Sequence, residues 1–253
     1  MVRGLELFRD RFEDFPACYV LIGGAASQLA MDEEGLEFRA TKDLDIVLCI
    51  EALDSQFVEA FWRFVRDGGY ERWERSTGPR RYYRFQSPSA EAYPAMLELF
   101  SRKPDGTVVP DDVALTPIPV DADISSLSAI LLDDTYYAWV MAGRRDLAGL
   151  QAVGVEHLIP LKARAYLDLS ARRDRGESVD LRNVKKHRSD VVRLLQALPA
   201  MRLEGVPEVV RRDVANFVNA FGMTAADLKN IRVVFRTPDA VVEMLTKVYG
   251  LDA

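Results

Sequence analysis

Short apolar runs alternate with amphipathic segments through the first half of the chain, a pattern that predicts strands and helices in turn. Residues 19–22 are β-branched, aromatic or aliphatic, and they predict a buried strand. Aromatic residues recur at helical spacing over residues 54–65, which predicts an amphipathic helix whose aromatic stripe packs in the core. Further helices are predicted at residues 5–12 and 25–31, and further strands at residues 44–50, 82–85 and 96–100.

The second half of the chain differs, because apolar residues recur at helical spacing from residue 156 onward. A change of composition near residues 120–130 marks the transition, and residues 130–141 predict a hairpin that turns at Asp133 and Asp134. The predicted fold class is therefore α/β (α+β), an N-terminal mixed β-sheet with flanking helices followed by a mainly helical C-terminal lobe. The predicted domains cover residues 1–125 and 126–253, and the helices of the lobe are predicted at residues 156–169, 181–198, 207–221 and 238–249.

Composition narrows the classes of protein without choosing one. Of the 253 residues, 49% are hydrophobic and 28% are charged, as in an ordinary globular protein. No window approaches the ~20 uninterrupted apolar residues of a membrane span, and the N-terminus lacks the apolar core of a signal peptide. The two cysteines, Cys18 and Cys49, lie in predicted strands, so we expect buried free thiols and a cytoplasmic location, with no membrane partner.

Charge and histidine content argue against two kinds of site. The net charge of −6 disfavours a broad nucleic-acid-binding face, and the two histidines, His157 and His187, lack companions at zinc-ligand spacing. Residues 72–84 nevertheless hold five arginines and three aromatic residues. This segment either contacts a phosphate-bearing substrate or forms a hairpin with solvated arginines, and the hairpin is the more common outcome for such a sequence.

Two aspartates, Asp43 and Asp45, stand one residue apart in an otherwise apolar predicted strand. Residues i and i+2 of a strand point to the same face, so both carboxylates emerge side by side while Leu44 and Ile46 point to the other face. Adjacent anions repel each other, and a divalent metal ion between them is the simplest remedy. Glu98, in the middle of a later predicted strand, is expected to complete a three-carboxylate cluster for two Mg²⁺ ions. The alternative for Glu98 is an ordinary solvent-facing side chain.

A glycine pair precedes these acids in the sequence. Gly23 and Gly24 follow the strand predicted at residues 19–22 and lead into a run of helix-forming residues that includes Ser27. The order strand, glycine pair, helix lets backbone N–H groups at a helix N-terminus approach a phosphate. Gly23, Gly24 and the Ser27 hydroxyl are therefore candidate ligands of nucleotide phosphates, although a glycine pair can also serve only as a tight turn.

Together these features resemble the nucleotidyltransferase superfamily of the DNA polymerase β type. Within it, the glycine pair and the Arg-x-Thr-x-Asp-Leu-Asp segment at residues 39–45 are most similar to the AbiEii-like toxin nucleotidyltransferases. The similarity is strongest over residues 16–50 and recurs more faintly in the C-terminal half. It implies a nucleotidyltransferase-like catalytic domain over residues 1–125 whose catalytic metal ligands are Asp43, Asp45 and Glu98.

The same resemblance extends to the helical lobe and to the reaction. It implies that Lys162, Lys186 and Asp190 face the bound nucleotide, although His187 stands where the family often has an acid. The implied function is transfer of a nucleoside monophosphate from a nucleoside triphosphate, with Mg²⁺ or alternatively Mn²⁺, to an unknown acceptor. RNA such as a tRNA, a protein and a small molecule are all open as acceptors. A toxin role in a toxin–antitoxin pair, with an antitoxin protein as partner, is implied in the same way.

Two alternatives stay open at this point. A nucleotidyltransferase fold can be retained as a non-catalytic, nucleotide-binding or regulatory module, because fold does not guarantee chemistry. Three mutually repelling carboxylates favour the enzyme, since a non-catalytic module has no need to keep them together. Glycosyltransferases that use sugar nucleotides also hold a metal with an Asp-x-Asp pair, but that reading leaves Gly23, Gly24 and Glu98 without a role.

Overall fold

The computed structural model of the chain describes residues 2–72, 83–102, 115–117 and 128–251. Its contacts divide it into two compact units, one of Met1–Glu33 and Arg39–Val153, the other of Glu34–Phe38 and Gly154–Ala253. The described strands all belong to the first unit. The boundary between the compact units thus lies at Val153 and Gly154, whereas the predicted domain boundary lies at residues 125 and 126.

The first unit combines strands with helices, as the first half of the sequence predicts. Its helices are α1 (Leu5–Phe12), α2 (Gly23–Glu33), α3 (Ser55–Gly68) and α4 (Asp134–Ala142). Its strands are β1 (Tyr19–Ile22), β2 (Asp43–Leu48), β3 (Glu71–Arg72), β4 (Arg84–Gln86), β5 (Met96–Ser101), β6 (Leu115–Pro117), β7 (Ser128–Leu131), β8 (Arg144–Leu147) and β9 (Leu150–Val153).

These strands form one mixed sheet with the order β3-β4-β5-β2-β1-β9-β8, and β7 and β6 extend from β5. Strand β2 runs antiparallel to β1 and parallel to β5. Strand β4 is antiparallel to β5, and β9 is parallel to β1. The predicted mixed sheet is confirmed. Because β2 is hydrogen-bonded on both sides, its side chains are carried by the middle of the sheet rather than by an edge.

Aromatic rings from α1 and α3 form much of the core of the first unit. Phe8 and Phe12 stack with their ring centroids 4.4 Å apart. Phe12 lies 5.5 Å from Phe64 of α3, and Phe8 lies edge-on to Tyr19 of β1 at 5.2 Å. All four rings are buried, which removes a large apolar area from water. The aromatic stripe predicted for residues 54–65 is therefore core packing that holds α3 against the sheet.

The hairpin predicted at residues 130–141 is wrong, because the segment after β7 is a helix. Asp133 caps α4, and its carboxylate accepts a hydrogen bond from the backbone N–H of Tyr136 at 3.0 Å. Such a cap satisfies a backbone donor that the first turn leaves unpaired. The apolar residues that follow do not alternate with polar ones, and a helix that is buried on more than one side has the same composition as a strand.

The second unit is helical, as predicted for the C-terminal lobe. Tyr166 of its first helix contacts Phe217 edge-on at 5.4 Å, and both rings belong to its core. Of the helices that the structure describes in either unit, none has the length and the apolar character required to pass through a bilayer. The five helices described here are α5 (Val155–Asp174), α6 (Leu181–Leu195), α7 (Glu208–Asn219), α8 (Ala225–Asn230) and α9 (Pro238–Tyr249).

Cys18 and Cys49 are free, buried thiols, as predicted. They lie at the ends of β1 and β2, where the backbone N–H of Cys49 donates to the carbonyl of Cys18 at 2.9 Å. Burial disfavours the charged thiolate, so it raises the pKa of Cys18 to about 11 and the pKa of Cys49 to about 12.

We therefore expect neither cysteine to react appreciably with a thiol reagent at pH 8 while the chain is folded. The thiolate is the reactive form, and a pKa raised by two units or more lowers its population about 100-fold or more at that pH. Ellman titration measures this reactivity. We expect slow labelling of the native chain and rapid labelling of both thiols in urea. Rapid labelling of one thiol in the native chain would contradict the buried placement.

Candidate functional site

The two aspartates of β2 share a face of the sheet, as their spacing predicts. Asp43 and Asp45 are partly exposed, whereas Leu44 and Ile46 between and after them are fully buried. This alternation follows from the period of two in a β-strand. Because both side chains are half-buried, a ligand can still reach their carboxylates. Less water surrounds them than in a fully exposed pair, so the repulsion between the two charges is screened less.

Strand register places Glu98 beside this pair. Asp45 is the partner of Glu98 across the parallel strands β2 and β5, and of Ile22 across β1 and β2. Glu98 is in turn the partner of Arg84 on β4. Direct partners in neighbouring strands project to the same face of a sheet, so Asp43, Asp45 and Glu98 occupy one face of two adjacent strands. This acid face, defined by these three residues, is the candidate site.

The Glu98 carboxylate is turned toward β4, where it forms an ion pair with Arg84. The Arg84 Nε donates to Glu98 Oε1 at 2.6 Å, and Arg84 Nη2 contacts the same oxygen. Within the part of the chain that the structure describes, no three His, Cys, Asp or Glu side chains come together in a way that could hold a metal ion. The role of Glu98 as a third metal ligand therefore stays a prediction.

The start of α2 is built to accept the Asp45 carboxylate. Gly23 has φ +67°, a backbone conformation that L side chains rarely adopt, and a Cβ at this position would overlap Asp45 Oδ2. A Cβ at Gly24 would lie 2.5 Å from Thr41 Oγ1. Both glycines are thus required by close approaches, and the carboxylate of Asp45 lies against the N-terminal residue of a helix, where negative charge is favourable.

Ser27, a predicted phosphate ligand, makes a hydrogen bond inside α2. Its side chain is fully buried, and its hydroxyl donates to the carbonyl of Gly23 at 2.6 Å, one turn earlier in α2. This bond gives the buried hydroxyl a partner inside the helix. A direct contact between the Ser27 hydroxyl and a phosphate stays a prediction.

We expect Gly23→Ala to destabilise the chain more than Gly35→Ala. Both glycines have φ near +66°, but a Cβ at Gly35 meets nothing within 4 Å. Gly35→Ala therefore reports backbone strain alone, about 1–2 kcal/mol, while Gly23→Ala adds the collision with Asp45. Urea denaturation of the two variants measures the difference in the free energy of unfolding. Equal losses would show that Asp45 moves aside at no cost.

The predicted nucleotide-binding residues of the second unit form a buried ion pair. Lys162 on α5 is 5% exposed and Asp190 on α6 is fully buried, and Lys162 Nζ lies 3.8 Å from Asp190 Oδ2. Arg193 Nη1 lies 3.5 Å from the other oxygen of Asp190. Lys186, one turn before Asp190, is partly exposed. The structure thus brings together two of the three residues, and the nucleotide contacts of all three stay predictions.

Sequence reasoning missed the partner of Glu98. Arg84 belongs to the basic segment at residues 72–84, for which the sequence predicts either a phosphate contact or a solvated hairpin. Only its last two residues and its first lie within the described part of the chain, so its remaining arginines fall outside the described residues. No local signal sets this pair, because residues 87–95 separate the two strands and the register that places one arginine opposite one glutamate follows from the sheet.

A cavity of about 390 Å³ opens elsewhere in the first unit, between α1, α2 and the hairpin of β8 and β9. Its lining is mainly apolar and includes Leu5, Leu29 and Leu147. The charged residues Arg9 and Asp32 also line it. None of the predicted site residues lines this cavity. It is therefore a feature separate from the acid face.

Comparison with known proteins yields little that bears on this site. No protein-family model matches the chain, and no curated protein matches it. A crystal structure of the Megavirus polyadenylate synthase is similar with a TM-score of 0.43 and 9% sequence identity. The match covers 86% of this chain but 36% of that one, so the chain spans about a third of the length of the viral protein. Similarity at this level assigns no chemistry to the acid face.

Proposed function

We propose that this chain is a nucleotidyltransferase that transfers a nucleoside monophosphate from a nucleoside triphosphate to an acceptor at the acid face. One observation carries the proposal, the placement of the Asp45 carboxylate against Gly23 at the start of α2. A phosphate bound by the backbone N–H groups of that first turn lies beside a carboxylate. Two such anions require a cation between them, and an acid next to a phosphate site is the arrangement that metal-dependent phosphoryl chemistry uses.

Two residues of the acid face, Asp43 and Asp45, supply the type of ligand that a magnesium ion takes. Mg²⁺ is commonly held by one or two carboxylates and by oxygens of the substrate phosphates, and Asp43 and Asp45 supply two carboxylates on one face. Gly23 leaves room for Asp45 where any side chain would displace it. When bound, Mg²⁺ or Mn²⁺ would neutralise the negative charge that develops on the departing pyrophosphate.

The other parts of the site bind and orient the substrates. The backbone N–H groups of the first turn of α2, which begins at Gly23, would bind the terminal phosphates. The central position of β2 in the sheet holds the two aspartates rigidly, which favours a precise geometry for the reaction. The acceptor is RNA such as a tRNA, a protein or a small molecule, and a toxin role with an antitoxin partner rests on the AbiEii-like resemblance alone. Two buried free thiols are consistent with a cytoplasmic site of action.

The deciding experiment is a transfer assay with the purified chain. Each of the four α-³²P-labelled nucleoside triphosphates is incubated with Mg²⁺ or Mn²⁺ and with total tRNA, a protein extract or a small-molecule pool. We expect label to appear on one acceptor class and pyrophosphate to be released. Absence of transfer with every nucleotide, metal and acceptor would overturn the enzymatic proposal for the isolated chain.

The alternative of a non-catalytic module is separated from the enzyme by calorimetry. A binding module holds the nucleotide through the protein alone, so its affinity is independent of Mg²⁺. The affinity of the enzyme for a nucleoside triphosphate is expected to fall at least about 10-fold when Mg²⁺ is removed, because the two aspartates then repel the phosphates. Transfer of sugar from a sugar nucleotide would instead support the glycosyltransferase.

A further inference from the structure

Arg84 brings a fixed positive charge to the acid face. It is the register partner of Glu98, and two of its N–H groups point at one oxygen of that carboxylate. The side chains are 33% and 13% exposed, so the pair is partly shielded from water. An ion pair with two donors in partial shelter is stronger than a fully exposed one. We therefore treat the Arg84–Glu98 ion pair as part of the site and not as an exposed surface contact.

Building on the proposed function, we infer that Arg84 is the resident cation of Glu98, so that the acid face takes one divalent metal ion, at Asp43 and Asp45, rather than two. Arg84 and Glu98 then act as positioning residues. The pair directs the Glu98 carboxylate toward β4, on the far side of β5 from β2. Asp43 and Asp45 are left as the metal-binding carboxylates.

The fixed charge of Arg84 supports this assignment. Its guanidinium already neutralises the Glu98 carboxylate, so that carboxylate needs no metal ion as its counter-charge. Arginine stays protonated at any working pH, so this cation is permanent. Removal of Arg84 takes this cation from Glu98 and frees Glu98 as an oxygen ligand, and a second divalent ion then has both a ligand and a charge to neutralise.

The test measures the number of Mn²⁺ ions bound per chain. Electron paramagnetic resonance counts them, with the full-length protein and Mn²⁺ alone. We expect one bound ion in the wild type and two in Arg84→Gln. In the double variant Arg84→Gln with Glu98→Gln we expect one ion again, because the second ion loses its carboxylate. Arg84→Lys keeps the positive charge and is expected to bind one ion, which separates the effect of charge from an effect of folding.

Arg102→Gln is the matched control. Arg102 also forms an ion pair with a glutamate, with Arg102 Nε 2.8 Å from Glu51 Oε1, just beyond the C-terminal ends of the parallel strands β5 and β2. This variant loses the same charge and is expected to bind one Mn²⁺. Two ions in the wild type, or one ion in a folded Arg84→Gln, would overturn the inference even if the wild type transfers nucleotides. Absence of transfer together with absence of Mn²⁺ binding in every variant would overturn both the inference and the proposed function.

Discussion

Asp45→Asn is expected to lower nucleotidyl transfer by about 10³-fold, equivalent to roughly 4 kcal/mol in the activation free energy. The substitution keeps the shape of the side chain but removes one of the two charges that hold the metal ion. It also removes the negative charge that lies against Gly23 at the start of α2. The measurement is the rate of label transfer at saturating nucleotide, compared with the melting temperature of the same preparation.

The fold is expected to tolerate this change. Asp45 is partly exposed and lies next to other acids, so its neutralisation relieves repulsion while it loses the favourable position at a helix N-terminus. A shift of the melting temperature within about 3 °C is expected, as for a change of roughly 1 kcal/mol in a chain of this size. Asp14→Asn, at an exposed position in a loop, is the matched control and is expected to retain full activity. Activity losses that merely track unfolding would leave the metal role without support.

Lys162→Met is expected to destabilise the second unit by about 1–3 kcal/mol. The substitution removes one of two cations beside the fully buried Asp190, and Arg193 stays 3.5 Å from its other oxygen, so the buried carboxylate is only partly compensated. Asp190→Leu is expected to be similarly destabilising, because it leaves the ammonium group of Lys162 buried. The double variant is expected to recover much of the loss, because both charges are then gone. Urea denaturation followed by far-UV circular dichroism gives the free energies of unfolding.

Lys186→Met provides the comparison on the same helix as Asp190. Lys186 is partly exposed, so the same substitution is expected to change the free energy of unfolding by at most about 0.5 kcal/mol. The pair of variants also tests the roles implied by the family resemblance. If Lys162→Met folds with nearly native stability but weakens nucleotide binding, the lysine serves the ligand rather than the packing of α5 on α6.

Local patterns predicted the elements of this fold where one period dominates. The stripe of aromatic residues in α3 has helical spacing and is buried, and Asp43 to Ile46 alternate as a half-exposed strand must. The prediction failed for α4 because buried helices and buried strands share the same apolar residues. The local signal for a helix there is the N-cap Asp133. A cap is a single residue, so an inspection of the sequence for apolar periodicity does not register it.

The strand positions of the candidate residues were predictable from the sequence, whereas the contacts of their side chains were not. The spacing of Asp43 and Asp45 sets their common face, because that relation is local to one strand. The pairing of Glu98 with Arg84, and of Lys162 with Asp190, depends on which strands and helices become neighbours. Such long-range relations follow from packing of whole elements, so no local period encodes them. The ion pair between Lys162 and Asp190 is one such relation that the sequence did not predict, and their nucleotide contacts stay predictions.

The close approach of Asp45 to Gly23 also limits how this protein can change. A side chain at position 23 collides with the carboxylate, so the two positions are not independent although 21 residues of sequence lie between them. A larger residue at position 23 becomes tolerable in space only after Asp45 has been shortened or has turned away. Any substitution of Gly23 during evolution therefore requires a protein in which Asp45 is absent or displaced.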